Sequence, residues 1–250
     1  MLLGVIIPIY NERELLPKLI ERLDATPRPK DSQGLAITRH LFLVDDGSTD
    51  GTQDLLADLG RREDITTLIT GINTGKGSAL RRGFAAALKQ GCDLVIVQDA
   101  DLEYDPADHD KALAPLIDGR ADAVIGTRFL GETHRVLYFW HSVVNRGITT
   151  LSNMLSNLNL TDIECGTKAF TRPTLEKLSP TLTENRFGIE PEIVAKLAKL
   201  RLPTESAAHR AARIYEVPIS YAGRTYAEGK KIGWRDGISA IRCIIQHNLF

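Results

Sequence analysis

The chain has 250 residues, of which 43% are apolar and 25% charged, and it carries 31 basic against 32 acidic side chains. This composition is typical of a globular protein rather than of a disordered or fibrous one. Because the formal net charge is only −1, no overall positive field is available for binding nucleic acid, and we expect no nucleic-acid partner.

Cysteine usage and hydropathy indicate where the protein is located and whether it spans a membrane. The three cysteines are too few and too scattered for a disulfide framework, which favours a reducing, cytoplasmic location. No apolar run approaches the roughly 20 residues that a membrane-spanning helix needs. The first apolar run, Leu2–Ile9, lacks the basic flank and cleavage site of a secretory signal. We therefore expect a protein that spans no membrane, although lying on a membrane surface stays open.

Apolar runs bounded by turn residues alternate with helical patterns through the first half of the chain. The predicted elements, in chain order, are a strand at Leu2–Ile9, a helix at 11–23 capped by Asn11, a strand at 40–44, a helix at 50–59, a strand at 65–70, a helix at 77–89, a strand at Leu94–Val97, a helix at 108–117 and a strand at 123–125. Such alternation predicts a Rossmann-like α/β fold, in which a mostly parallel central sheet carries helices on both faces.

The second half of the chain has longer amphipathic segments. We predict helical stretches at 136–158 and 190–200, a strand at Ile214–Pro218 and a closing amphipathic helix at 234–250. A polar loop at 26–38 is longer than usual, but no segment has the composition of an interdomain linker. The sequence therefore favours a single domain over residues 1–250.

Polar residues follow four of the predicted strands at the point where each strand ends. These residues lie at 10–12, 45–48, 71–76 and 99–103. Ligands of open parallel sheets bind beyond the carboxyl ends of the strands, so polar side chains from all four segments are expected at one rim. This combination is more specific for a ligand site than any one of the four segments alone.

The acidic segment after the strand Leu94–Val97 is a candidate metal site. Side chains alternate along an extended chain, so Asp99 and Asp101 are expected to project the same way, with Glu103 one alternation further. Neighbouring carboxylates repel unless a cation or proton lies between them. With oxygen ligands alone, Mg²⁺ or Mn²⁺ is the natural ion. An isolated pair of this kind is more often a solvated turn, but its position after a strongly apolar strand favours metal binding.

The segment 71–78 resembles a phosphate-binding loop but lacks its spacing. Three residues instead of four separate Gly71 from Gly75, and Gly77 replaces the Ser or Thr that should follow Lys76. This disfavours a nucleoside triphosphatase. Gly75 and Gly77 would still admit a ligand close to the backbone, and Lys76 adds a positive charge. The alternative is an ordinary turn between a strand and a helix.

Further charged residues are candidates for contacts with a nucleotide. Asp45 and Asp46 could accept hydrogen bonds from a nucleobase or ribose, because Ser48 or Asp50 could cap the next helix without them. Basic residues follow the alternating half of the chain at Arg128, Arg146, Lys168, Arg224, Lys230 and Lys231. Each alone is typical of a solvated surface charge, whereas those that face the acidic rim would hold phosphates.

Together these motifs resemble a known family. The matching segments are 5–12 (VIIPIYNE), 45–50 (DDGSTD), 73–83, 99–106 (DADLEYDP), 126–128 (GTR) and 216–230 (EVPISYAGRTYAEGK). In order and spacing they resemble the family 2 glycosyltransferases, and within them the polyprenyl-phosphate sugar transferases typified by dolichyl-phosphate mannose synthase. The resemblance covers nearly the whole chain and is weaker for the acceptor than for the nucleotide-sugar donor.

The resemblance implies a GT-A fold, a divalent metal and inversion at the sugar carbon. It divides the chain into a nucleotide-sugar half at 1–130, an acceptor half at 131–233 and the closing helix at 234–250. Its implied donor-binding residues are Pro8, Tyr10, Glu12, Asp45, Asp46, Asp99, Ala100, Asp101 and Arg128. The implied metal ligands are Asp99, Asp101 and Glu103, although Glu103 stands where the mannose synthases have a Gln. The turn at 162–166 resembles the family's turn near the acceptor.

The expected mechanism follows from charge. A polyprenyl phosphate is already an anion at neutral pH and needs no base. It needs cations beside the donor phosphates, and the catalytic set predicted here is Asp101, Arg128, Arg224 and Lys230, with Arg146, Arg224 and Lys230 at the acceptor. If a base is used, Glu190 and Glu192 are the candidates, unless they only complement a helix dipole. The sugar is mannose or glucose, from GDP-mannose or UDP-glucose, and the sequence does not distinguish them.

Three functional readings stay open. The first is hexose transfer to a polyprenyl phosphate, with the apolar faces of 136–158 and 234–250 lying in the cytoplasmic face of a membrane rather than in the core. The second keeps the donor chemistry but uses a saccharide or other non-lipid acceptor, which requires an acceptor base. The third is a nucleotide-binding module without catalysis, for which the metal carboxylates would be dispensable.

Overall fold

A seven-stranded sheet forms the centre of the protein in the computed structural model, which describes residues 1–131, 138–204, 208–224 and 234–250, the side chains of 234–236 excepted. The strands are β1 (Leu2–Ile9), β2 (Thr38–Asp45), β3 (Ile65–Ile69), β4 (Leu94–Val97), β5 (Ala123–Thr127), β6 (Lys168–Thr171), β7 (Arg201–Pro203), β8 (His209–Ala211) and β9 (Ile214–Pro218). The sheet order is β3-β2-β1-β4-β6-β5-β9, and β7 and β8 form a separate antiparallel pair. Only β6 is antiparallel to its neighbours, so the sheet is mostly parallel as predicted.

Helices cover both faces of this sheet. They are α1 (Leu16–Ala25), α2 (Thr52–Leu59), α3 (Lys76–Gln90), α4 (His109–Ile117), α5 (Phe139–Ser156), α6 (Arg172–Leu178), α7 (Ile189–Lys199) and α8 (Trp234–Leu249). Because side chains alternate along a strand, Val5 and Ile7 of β1 pack with α1, α2 and α4, whereas Ile6 packs with α3 and α5 to α8. The predicted α/β class is thus confirmed.

The start of α1 differs from the prediction. Asn11 does not cap a helix but has a left-handed backbone with φ of 52°, and α1 begins five residues later. The Asn11 amide donates to Ser48 Oγ at 2.9 Å, and Asn11 Oδ1 accepts from the Thr49 amide at 2.8 Å. These tertiary bonds tie the end of β1 to the turn after β2. These two tertiary hydrogen bonds outweigh the local preference of Asn11 for capping a helix.

The sheet contains one strand that the sequence analysis missed. β6 has four residues and lies antiparallel between β4 and β5, with Ala169 and Phe170 buried on its two faces. It begins with Lys168, a residue type that rarely occurs in a core strand. A short strand with a lysine carries little apolar pattern, which is why periodicity did not identify it.

Helix α5 and the C-terminal helix α8 pack against each other on one face of the sheet. Within the described ranges, no helix has both the length and the hydropathy required to cross a membrane.

Candidate active site

A cleft of about 750 Å³ opens at the carboxyl ends of the parallel strands. Residues from β1, from the loops after β2 to β5 and from the segment after β9 line it, which matches the rim predicted from the strand ends. Predicted site residues in its lining are Pro8, Tyr10, Glu12, Asp46, Lys76, Asp99, Ala100, Asp101, Glu103, Arg128 and Arg224. Lys230 lies outside the described residues, so its predicted role is unchanged.

Two other predicted residues do not line the cleft. The Asp45 carboxylate accepts from the amides of Gly47 and Ser48 and from Gln53 Nε2 at 2.9 Å, so it stabilises its own turn. Its neighbour Asp46 lies at the cleft wall. Arg146 is exposed on α5 and is not among the residues that line the cleft.

The turn after β4 brings three carboxylates together. Leu102 has a φ of 62°, and the Glu103 amide donates to Asp101 Oδ1 at 3.1 Å, which turns the chain back at this point. Burial, together with the charges of Asp99 and Glu103, raises the pKa of Asp101 to about 7. A carboxylate crowded in this way is short of positive charge, so the oxygen-only set fits a hard divalent cation.

Arg224 holds two of these carboxylates from the opposite side of the cleft. Its Nη2 lies 2.9 Å from Asp101 Oδ2, and its Nε lies 3.3 Å from Glu103 Oε1. Glu103 also accepts from Tyr221 Oη at 2.8 Å and from the Arg224 amide at 3.0 Å. Glu103 therefore anchors the segment that carries Arg224, whatever its part in metal binding.

Lys76, the first residue of α3, pairs with the third carboxylate. Its ammonium lies 2.8 Å from Asp99 Oδ1 and 3.0 Å from Glu190 Oε1. A Cβ on Gly75 would lie 2.4 Å from the Asn185 carbonyl, and one on Gly77 would lie 2.4 Å from the Glu184 carbonyl. The absence of a Cβ at these two glycines therefore admits the segment before α7, and Gly75 also lines the cleft.

A buried ion pair lies beneath Lys76. Lys168 is fully buried, and its ammonium contacts Glu190 Oε2 and donates to the carbonyl oxygens of Cys165 and Ile163. Burial alone would raise the pKa of Glu190, but the Lys168 and Lys76 charges hold it below its usual value. The reading of Lys168 as a solvated surface charge is therefore wrong.

The two carboxylates named as candidate bases are both engaged. Glu190 lines the cleft but is shared between two ammonium groups. Glu192 does not line it: its oxygens accept from the amides of Thr183 and Glu184, and Lys196 pairs with it.

Glu164, which the sequence analysis did not single out, is a better candidate base. It lines the cleft, and its buried Oε1 has no hydrogen-bond partner among the described residues. Burial, and next the charge of Glu190, raises the pKa of Glu164 to about 7. A carboxylate with this pKa can accept a proton near neutral pH. The signal in the sequence was its place in the turn at 162–166.

Arg128, at the end of β5, is held by a buried carboxylate. Its Nε lies 2.6 Å from Asp162 Oδ2 and its Nη2 lies 2.8 Å from Asp162 Oδ1, a two-point pairing that fixes the guanidinium plane. Asn145 Oδ1 accepts from Nη2 at 3.2 Å, and the guanidinium carbon lies 5.1 Å from the centre of the Tyr221 ring. Arg128 is thus a cation of fixed position at the cleft.

The far end of the cleft is apolar. Trp140 and Val144 of α5, with Ile238 and Ile241 of α8, line it, and Trp140 is 73% exposed. The same two helices and the residue before α5 carry other exposed apolar side chains: Tyr138, Phe139, Val143, Ile245 and Leu249. One continuous cleft therefore joins a charged end to an apolar end.

The fold defines the structural class. The structure superposes on glucosyl-3-phosphoglycerate synthase from Mycobacterium tuberculosis, solved with Mn²⁺, uridine diphosphate and phosphoglyceric acid, with a TM-score of 0.68 at 19% identity, over 99% of this chain and 78% of that one. The same protein superposes with a TM-score of 0.64 in its complex with Mn²⁺ and uridine-diphosphate-glucose, at 18% identity over 98% of this chain and 78% of that one. The architecture is therefore the GT-A fold.

Sequence similarity specifies the family. The profile of glycosyl transferase family 2 matches residues 4–179. The chain is 29% identical to polyprenol monophosphomannose synthase of Mycolicibacterium smegmatis over 92% of this chain and 80% of that protein. It is 30% identical to undecaprenyl-phosphate mannosyltransferase of Micrococcus luteus over 91% and 86%. The chain belongs to glycosyl transferase family 2 and is a glycosyltransferase.

Proposed function

We propose that this protein transfers a hexose, mannose or glucose, from a nucleotide sugar to a polyprenyl phosphate, with a divalent metal and with inversion at the sugar carbon. The observation that carries the proposal is the continuity of the cleft, which leads from clustered charges to an apolar mouth between α5 and α8. A polyprenyl phosphate likewise has a charged end, the phosphate, and an apolar end, the isoprenoid chain. The names of the two bacterial relatives support this acceptor.

The donor would lie at the charged end. Tyr10, Glu12 and Asp46, which line this end, would contact the nucleoside, and Asp99 and Asp101, with Glu103 beside them, would hold Mg²⁺ or Mn²⁺. The bound metal would supply positive charge to the diphosphate that leaves the sugar. Lys76 and Arg224 pair with the same two carboxylates, Asp99 and Asp101.

The acceptor phosphate would approach from the apolar end. Arg128 and Arg224 would compensate its charge beside the donor phosphates, and Lys230 keeps its predicted place among these cations. An acceptor oxygen forms the new bond to the anomeric carbon on the face opposite the departing diphosphate, so the configuration inverts. Because this oxygen is already ionised, the step needs no proton acceptor.

The isoprenoid tail would leave the cleft between α5 and α8. The exposed side chains at this mouth include the aromatic residues Tyr138, Phe139 and Trp140, a type enriched at membrane interfaces. We place this face against the cytoplasmic surface of a membrane, from which the acceptor enters laterally. The localisation is thus peripheral, with the charged end of the cleft facing the donor in solution.

A substitution at the mouth tests this acceptor route. We expect Val144→Glu to raise the KM for a short-chain polyprenyl phosphate about 10-fold, because a charge on the lining opposes an apolar tail. The KM for the nucleotide sugar should not change. Steady-state kinetics without membranes or detergent measures both. Met154→Glu is the matched control, since Met154 is exposed on α5 but does not line the cleft. An unchanged acceptor KM in Val144→Glu would contradict the route.

A second candidate function rests on Glu164. Its unpartnered oxygen and a pKa near 7 are what deprotonation of a hydroxyl acceptor requires. If the acceptor is a sugar or another alcohol, Glu164→Gln should reduce kcat by about 10²–10⁴-fold. If the acceptor is a phosphate, that variant should retain most of its activity.

A further inference from the structure

A second cluster of metal-ligating side chains lies between α8 and the segment that precedes α7. Cys243 and His247 are four residues apart on α8 and share one face of the helix. Glu184 faces them, and the ligand atoms of the three residues all lie within 4.8 Å of one another. None of the three lines the cleft.

The polar groups of this cluster are incompletely satisfied. The His247 side chain is only 9% exposed, and its Nε2 has no hydrogen-bond partner within the described part of the chain. This nitrogen lies 3.7 Å from Glu184 Oε1 and 3.5 Å from Glu192 Oε1, too far for good hydrogen bonds. The His247 nitrogen thus lies near the Glu184 carboxylate and the Cys243 thiol without a hydrogen bond to either, which is the arrangement that a shared metal ion would satisfy.

We propose that Glu184, Cys243 and His247 bind one Zn²⁺ ion. Thiolate, imidazole and carboxylate together are typical zinc ligands, whereas magnesium and calcium prefer oxygen alone. Zinc bond lengths of about 2.0–2.3 Å give ligand separations of about 3.3–3.6 Å in a tetrahedral site. The observed 3.7 Å between His247 Nε2 and Glu184 Oε1 is already close to this range. A water molecule would complete the coordination, since the Glu192 carboxylate is already engaged by Thr183, Glu184 and Lys196.

Zinc would replace two existing contacts of the ligands. Arg242 Nη2 lies 3.0 Å from Glu184 Oε1, but the Arg242 side chain is 61% exposed, and exposed ion pairs contribute little stability. The Cys243 thiol donates to the Gly188 carbonyl at 2.9 Å, a bond that metal coordination would replace. Zinc would thereby join α8 to the segment whose next residues, Arg186 and Phe187, line the cleft. The role is structural: the ion would fix one cleft wall.

Cobalt and zinc titration of tag-free protein tests the site. Excess Mg²⁺ is included to compete at the oxygen ligands of the cleft. We expect one equivalent of Co²⁺ to produce a thiolate-to-cobalt charge-transfer band, which Zn²⁺ then displaces. Zn²⁺ should also raise the melting temperature of the wild type, because it binds the folded state more tightly than the unfolded chain.

Three variants complete the test. Cys243→Ser should lose the charge-transfer band, and His247→Gln should weaken zinc binding at least 100-fold. His209→Gln, at an exposed histidine on β8, is the matched control and should bind zinc like the wild type. Melting curves without metal establish that each variant is folded; if Cys243→Ser does not fold, His247→Gln decides. A wild type without the band, or equal zinc affinity in His247→Gln and the wild type, would overturn the proposal.

Discussion

Replacing Asp101 with alanine should reduce sugar transfer at least about 10³-fold while the protein stays folded. The Asp101 carboxylate lies at the centre of the acidic turn and within 2.9 Å of Arg224, where a metal and the donor diphosphate would meet. The two other carboxylates of this turn have different partners, since Asp99 pairs with Lys76 and Glu103 accepts from Tyr221. Initial rates at saturating nucleotide sugar and Mn²⁺ measure the loss.

The fold should tolerate this change because Asp101 is not a stabilising charge. Burial and two neighbouring carboxylates raise its pKa to about 7, so removing it relieves repulsion, and Arg224 keeps Glu103 as a partner. We expect the melting temperature of Asp101→Ala to equal or exceed that of the wild type. Asp110→Ala, at an exposed carboxylate on α4, is the control and should leave activity unchanged. Full activity in folded Asp101→Ala would reject the metal assignment.

Among the substitutions proposed here, Lys168→Met should lower the free energy of unfolding the most. Lys168 is fully buried, and its ammonium satisfies Glu190 and two carbonyl oxygens at the base of the cleft. Removing one partner of a buried ion pair costs about 3–5 kcal/mol, because the remaining charge stays desolvated. Lys76 can compensate Glu190 only in part, since it also pairs with Asp99.

Urea unfolding measures this effect as a change in the free energy of unfolding. Lys89→Met removes an exposed lysine at the end of α3 and should change that free energy by less than about 0.5 kcal/mol. If Lys168→Met costs no more than this control, the buried pair does not hold the base of the cleft together.

Much of the parallel sheet could be predicted from local sequence. β1 and β4 have the predicted bounds. Their residues are buried on both faces of the sheet, and a strand buried in this way appears in the sequence as a short continuous apolar run. β6 and the start of α1 could not be predicted in this way. Their conformations depend on partners far away in sequence: β6 pairs with β4 and β5, and Asn11 pairs with Ser48 and Thr49.

Some residues of the candidate site could likewise be predicted from local sequence, and others depend on long-range contacts. Its carboxylates follow strand ends, so topology alone places Asp46, Asp99 and Asp101 at one rim. The cations beneath them depend on long-range pairing: Lys76 meets Glu190 across more than 100 residues, and Lys168 meets the same carboxylate from β6. The spacing of apolar residues along the sequence does not indicate such a contact. Glu164 was missed for a similar reason, since its raised pKa comes from burial that only the folded chain creates.

The distribution of transferred label between organic solvent and water identifies the acceptor. Purified protein is incubated with Mn²⁺ and polyprenyl phosphate, and with labelled GDP-mannose or UDP-glucose in separate reactions. The wild type and Glu164→Gln are compared after extraction with organic solvent. We predict that label from at least one donor enters the organic phase with both proteins, as a phosphate acceptor without a base requires. Label confined to water-soluble products, or its loss from the organic phase in Glu164→Gln, would contradict the proposed function.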